Sequence, residues 1–169
     1  MAAMDSNSVS MAYCESTVNN FMQQRSSKLR VATHFGPLMR VAVRFKNTTL
    51  AYKVLKILRS GCKSCPELQA QFFADGHFPS LLAILSHFTT TVCNHGEQQS
   101  LVNLSSVISF TGTLAFDDNN EVAIARAGVV ELLCTNLGQF RQTKDLVLAC
   151  VRTLRNLAFN PCNRRHFDA

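Results

Sequence analysis

Residues 120–159 read NEVAIARAGVVELLCTNLGQFRQTKDLVLACVRTLRNLAF. The stretch divides into a short helical pattern, a glycine, a medium helix, a polar linker and a long helix. Asn120 is placed to cap a helix that turns Val122, Ala123 and Ala127 inward, and Gly128 supplies a sharp corner. Val129, Leu132, Leu133 and Leu137 then recur at helical spacing, and Leu146, Val147, Cys150, Val151, Leu154 and Leu157 form the apolar stripe of a third helix. No helix of this kind buries its stripe alone. Units of about 40 residues that repeat and stack would bury it.

Working outward, the same junction is written twice. Residues 107–128 read VISFTGTLAFDDNNEVAIARAG and residues 148–169 read LACVRTLRNLAFNPCNRRHFDA, with Leu114 and Leu157 in equivalent places 43 residues apart. A weaker register is LQAQFFADGHFPSLLAIL at 68–85, with Gly76 at the corner, Phe72 in the aliphatic position and Leu81, Leu82 and Leu85 in the next helix. Gly76 and Gly128 lie 52 residues apart, and the excess over one repeat is assigned to the loop TTTVCNHGEQQ at 89–99. With seven Gly, four Pro and no sustained strand-like alternation, the chain reads as all-α. Helices are expected at 16–33, 38–59, 65–74, 78–90, 98–116, 120–127, 129–140, 143–159 and 162–168.

These junctions resemble the armadillo repeat family. The family pattern, an Asn-Leu-Ala ending, a turn, then Asn, an aliphatic residue and Gly, is matched by Asn120, Ile124 and Gly128 and in part by Asn163 and Phe167. The resemblance covers roughly residues 40–169 and implies a right-handed α-solenoid of about three armadillo-like repeats, with the two-helix HEAT repeat as the structural runner-up. It also implies a groove of stacked third helices that takes extended segments of protein partners. In nuclear-import receptors of this class the groove pairs an Asn with a Trp four residues earlier. Here Asn156 keeps the Asn position, Arg152 stands where the Trp would be, the preceding unit has Ser109 and Thr113, and the chain contains no Trp. The resemblance therefore points away from an import receptor. Arg152 beside Arg155 and Asn156 suits an acidic partner instead, unless these residues simply form a solvated helix face. Long armadillo-like scaffolds of centrioles, cilia and cytoskeletal junctions, the rotatin-like ones among them, carry similar junctions, which implies a cytoplasmic location at a centrosome or ciliary base.

Charge is unevenly placed. Ser16 to Pro66 holds ten Lys or Arg and no acid, whereas Glu67 to Ala169 holds seven bases and nine acids, so the formal charge of +6 belongs to the N-terminal third. Lys53, Lys56, Arg59 and Lys63 form its candidate basic patch, which would draw nucleic acid, an anionic membrane surface or an acidic protein. The segment lacks the aromatic interleaving of a single-strand binder, so protein partners are favoured over nucleic acid. No apolar run approaches the roughly 20 residues of a membrane-spanning helix, and the N-terminus shows no secretory pattern. Seven dispersed cysteines point to a reducing compartment rather than a disulfide framework.

Chemistry finds little foothold. Cys62 and Cys65 make a CxxC, and Cys93 with His95 would complete a four-ligand zinc site on paper, but a second closely spaced pair is missing. His34, His77, His87, His95 and His166 have no carboxylate spaced to orient them, and DDNNE at 117–121 is a turn in which Asp117 and Asp118 favour the next helix N-terminus. The expected protein is a non-enzymatic interaction scaffold without cofactor or metal, disordered over 1–15 and helical over 16–169, its last repeat incomplete. The alternative is a basic module for nucleic acid or an anionic membrane.

Overall fold

The computed structural model describes residues 6–23, 28–46, 48–95 and 98–168, and among them there is no strand. Ten α-helices follow one another: α1 (Ser6–Gln23), α2 (Lys28–Thr33), α3 (Phe35–Arg44), α4 (Thr49–Cys62), α5 (Pro66–Ala74), α6 (Phe78–His95), α7 (Gln98–Leu114), α8 (Asp118–Arg126), α9 (Val129–Gln139) and α10 (Lys144–Ala158). A 3-10 turn over Pro161–His166 ends the described chain.

From α2 onward each element packs on the element three places later. The short helices form one file, α2 on α5, α5 on α8, and α8 on the 3-10 turn. The second file is α3, α6 and α9, and the third is α4, α7 and α10, with α7 packed against both its neighbours in that file. Phe35, Phe72 and Phe110 join the files at the centre, with edge-on ring contacts of 5.3 and 5.2 Å.

The recurrent sequence junction has a recurrent geometry. An amide side chain inside each of the last three short elements donates back to the last carbonyls of the preceding long helix: Asn120 Nδ2 to Leu114 O at 3.3 Å, Asn163 Nδ2 to Leu157 O at 2.9 Å, and Gln69 Nε2 to Cys62 O at 2.9 Å. Asn120, expected to be a helix cap, is therefore a buried tie. The cap is Asp117, whose Oδ1 accepts from the backbone N–H of Asn119 and Asn120, and Asn160 repeats the device by accepting from Cys162 N–H. Gly76 and Gly128 turn the corners at φ 72° and 79°. A Cβ would find open space at Gly76 and only a long contact at Gly128, so it is the left-handed backbone that requires glycine there.

Several sequence-based boundaries differ from the structure: α6 runs on to His95 through most of the stretch read as a loop at 89–99, and the helix expected over 162–168 is the 3-10 turn. The helix expected over 38–59 is broken between Arg44 and Thr49, because Thr48 leaves the helical conformation and its hydroxyl accepts from Leu50 N–H at 3.2 Å. The segment 1–15 was expected to be disordered, yet α1 begins at Ser6. Val18 is buried on it, with Met11 and Cys14 packed against the same core, and Lys53 Nζ donates to Asn19 Oδ1 from α4. That stripe of three apolar residues at helical spacing is hidden among polar neighbours. Residues 1–5 and Arg25 of the basic segment lie outside the described residues.

Within the third file α7 and α10 approach closely at Gly112. A Cβ there would sit 2.4 Å from Thr153 Oγ1 and 3.4 Å from the Thr153 Cα, while that same hydroxyl donates to Ile108 O at 3.1 Å. Thr153 is β-branched and buried, so it cannot swing away. Gly112→Ala should destabilise the chain by about 1–3 kcal/mol in urea unfolding. Adding Thr153→Ala should recover part of that loss, and strict additivity would show that the contact is not the cause.

The Glu121 carboxyl is pushed above its ordinary pKa, first by burial, with Asp118 and Asp117 adding to the push and a hydrogen bond from Asn160 opposing it. Between the ordinary carboxyl value and the raised one, the folded state keeps a proton that the unfolded state has lost. Stability from this group therefore falls as pH rises through that window. Relative to Glu121→Gln, the wild-type chain should lose ground in melting temperature between pH 4 and pH 7, and parallel pH profiles would contradict the assignment.

Candidate functional site

The exposed face of the third file is a cleft of about 280 Å³. On α4, Tyr52, Lys56 and Arg59 recur at intervals of three or four residues and so share one face, and Lys63 follows directly after the helix as its C-cap. Lys53 lies a quarter-turn away, half-buried and bonded to Asn19 on α1. Arg59 on α4 and Lys63 just past its end reach the cleft from one side, and Arg152, Arg155 and Asn156 reach it from α10. Between them, α7 supplies Ser109 and Thr113.

Sequence reasoning treated the basic patch and the groove as rival surfaces, whereas the structure joins half of one to all of the other. Ser109, Thr113, Arg152, Arg155 and Asn156, the five groove candidates, line the cleft together with Arg59 and Lys63. Lys56 stays on the exposed face of α4 with its ammonium 5.9 Å from the Tyr52 ring. Four cations line the cleft, no acidic residue does, and among the described residues no carboxylate is in ion-pair contact with Arg59, Lys63, Arg152 or Arg155.

The floor is less free than its residue types imply. The Thr113 hydroxyl donates to Ser109 O at 3.0 Å, and Asn156 Nδ2 donates to Gly112 O at 2.9 Å, so both side chains hold helices as well as facing the cleft. Ser109 differs: half-buried, its hydroxyl has no hydrogen-bond partner among the described residues. It also lines an adjoining cleft of about 310 Å³ with Tyr52, Arg59, Ser105, Ser106 and Asp145. The two clefts thus meet at Arg59 and Ser109.

Two features were missed from sequence. Phe116, in the turn after α7, is 68% exposed and lines the cationic cleft, and its equivalent Phe159 is 69% exposed under the Arg155 guanidinium at 5.7 Å. The Leu-Ala-Phe echo itself carried that signal, since Leu114 and Leu157 are buried and the Phe after each is not. The second is Leu148 and Val151, both exposed on α10 beside Arg141 and Lys144. Val151 belongs to the stripe that the sequence reading assigns to the core, whereas Leu148 lies outside that stripe.

Elsewhere the titratable groups are dispersed. Among the described residues no group of three or more His, Cys, Asp or Glu gathers as metal ligands would, and the Cys93 and His95 side chains lie outside them. Cys65 Sγ donates to Glu67 Oε2 at 3.3 Å, while burial, with Cys65 adding, pushes the Cys62 thiol up to about 12. Burial pushes the His87 ring below its ordinary value, with the Lys46 charge adding, and His77 packs on the rings of Phe35 and Phe72. Among the described residues no helix is long and apolar enough to cross a membrane. Comparison of the chain with protein-family models, curated proteins and solved structures finds no match.

Thiol chemistry offers a check on the core. Cys150, like Cys62, is buried with its thiol pushed up to about 12, whereas Cys134 and Cys162 are exposed. At pH 8 in native buffer, alkylation of Cys62 and Cys150 should trail that of Cys134 and Cys162 by at least about a hundredfold, because the thiolate reacts. Mass spectrometry showing Cys62 modified alongside the exposed pair would contradict the packing.

Proposed function

We propose that the chain is an armadillo-like stack of about three helical units acting as a non-enzymatic scaffold, and that its cleft across α4, α7 and α10 binds an acidic, extended segment of a protein partner. The observation that carries the reading is the meeting of Arg59, Lys63, Arg152 and Arg155 in one cleft that no acid lines. Clustered cations with no internal counter-charge attract anions at long range and lose solvation well only against a matching partner. Phe116 at the edge supplies an apolar anchor of the kind that concentrates binding energy. The packing of each element on the third one along supports the repeat reading. Cytoplasmic placement at a centrosome or ciliary base follows only from the armadillo resemblance.

A second reading, a basic module for nucleic acid or an anionic membrane, draws on Arg40 and Arg44, both exposed on α3 next to His77. Salt separates the two, since phosphate contacts along a polyanion lose affinity steeply with ionic strength. A short Glu-rich peptide should bind the purified chain in fluorescence anisotropy. Arg152→Glu with Arg155→Glu should weaken that binding by at least about tenfold, since each reversal adds repulsion to a lost attraction. Unchanged peptide affinity in the double variant, or binding only to duplex DNA or phosphatidylserine vesicles, would refute the groove.

A further inference from the structure

We infer that the cleft recognises a phosphorylated serine or threonine carried within the acidic segment, an inference that rests on the groove reading and narrows its ligand. The two walls present three guanidinium groups and one ammonium, Arg59 on α4 and Lys63 just past its end opposite Arg152 and Arg155 from α10. A side-chain carboxylate carries a single charge and two acceptor oxygens, so it leaves most of the charge of the two walls uncompensated. A phosphomonoester carries about −1.5 to −2 charges at neutral pH and three acceptor oxygens. Arginine forks match that group in bidentate geometry, and a lysine serves it as a point charge.

The floor points the same way. Along α7 the hydroxyls of Ser106, Thr111 and Thr113 each donate to the carbonyl four residues earlier, as side chains with no other partner do. Ser109, between the cationic walls, does not, and its O–H is available to a phosphoryl oxygen. At about 280 Å³ the cleft lies below the range of about 300–1,000 Å³ that takes a drug-sized ligand, which fits one charged group and its neighbours. The adjoining cleft continues past Ser109 toward Asp145, whose charge disfavours acids there. The phosphorylated residue should therefore have its acidic neighbours on the Lys63 and Phe116 side and neutral residues on the Asp145 side.

The test compares three short peptides of one Glu-rich sequence, with serine, glutamate or phosphoserine at the centre, titrated into the full chain in fluorescence anisotropy. The phosphoserine peptide should bind about tenfold or more tighter than both others, the expected return from a dianion held by paired arginines. Arg59→Gln and Arg152→Gln, both at exposed positions, should each remove most of that advantage while leaving the thermal melt unchanged, and Ser109→Ala should remove part of it. Equal affinity for the three peptides, within about twofold, would overturn the phosphate inference and leave the groove reading standing. Failure of all three to bind would overturn both. A preference for a phosphodiester strand or for phosphoinositide vesicles over the phosphopeptide would also overturn it, because the charged group would then belong to a different macromolecule.

Discussion

Everything in this chain depends on how one long helix hands over to the next short one. Helices of 6 to 18 residues gain little stability in isolation, and most of it must come from packing an apolar face. The amide that reaches back from Gln69, Asn120 or Asn163 to the end of the preceding helix fixes the angle at which the chain leaves it. Asn163 also donates to Glu121 O and Asn160 Nδ2 to Asp118 O, so one junction is tied to the equivalent junction before it. The geometry has a cost: Gln69 Oε1 and Asn163 Oδ1 are buried with no partner among the described residues. The unmet amide oxygen is the counterpart of an N–H that satisfies a helix-end carbonyl which would otherwise go without a donor.

Once the handover is fixed, α4, α7 and α10 must lie side by side, and their outward faces merge. Gly112 lets α10 sit close to α7, and Thr153 and Asn156 bond across the gap to Ile108 and Gly112 carbonyls. Arg59 and Arg152, 93 positions apart in sequence, thereby come to line one cleft. Four cations sharing a small opening repel one another, and nothing in its lining relieves them. An anion in the cleft would relieve that repulsion, which is what the proposed acidic partner supplies.

Much of this was legible in the residues, for stated reasons. Gly76 and Gly128 announced the corners because only glycine adopts their backbone cheaply, and the echo of residues 107–128 in 148–169 announced the repeated handover. Arg152, Arg155 and Asn156 could be placed on one face by helical spacing alone. The break before α4 was not legible, since FKNTT at 45–49 holds neither Gly nor Pro and the apolar period runs through it; only the Thr48 cap marks the boundary. The union of basic patch and groove was not legible either. It turns on which face of α4 meets α7, and that is decided by tertiary packing that leaves Arg59 outward and turns Lys53 toward α1.

The most direct test of the central claim is a chemical-shift titration of the isotope-labelled chain with a short Glu-rich peptide. The account predicts shifts that map together onto the C-terminal half of α4, the Ser109 to Phe116 stretch and the exposed face of α10, saturating with one affinity. Shifts confined to the basic residues of α3, or spread over the surface without saturating, would contradict a single anion-binding cleft built from three helices.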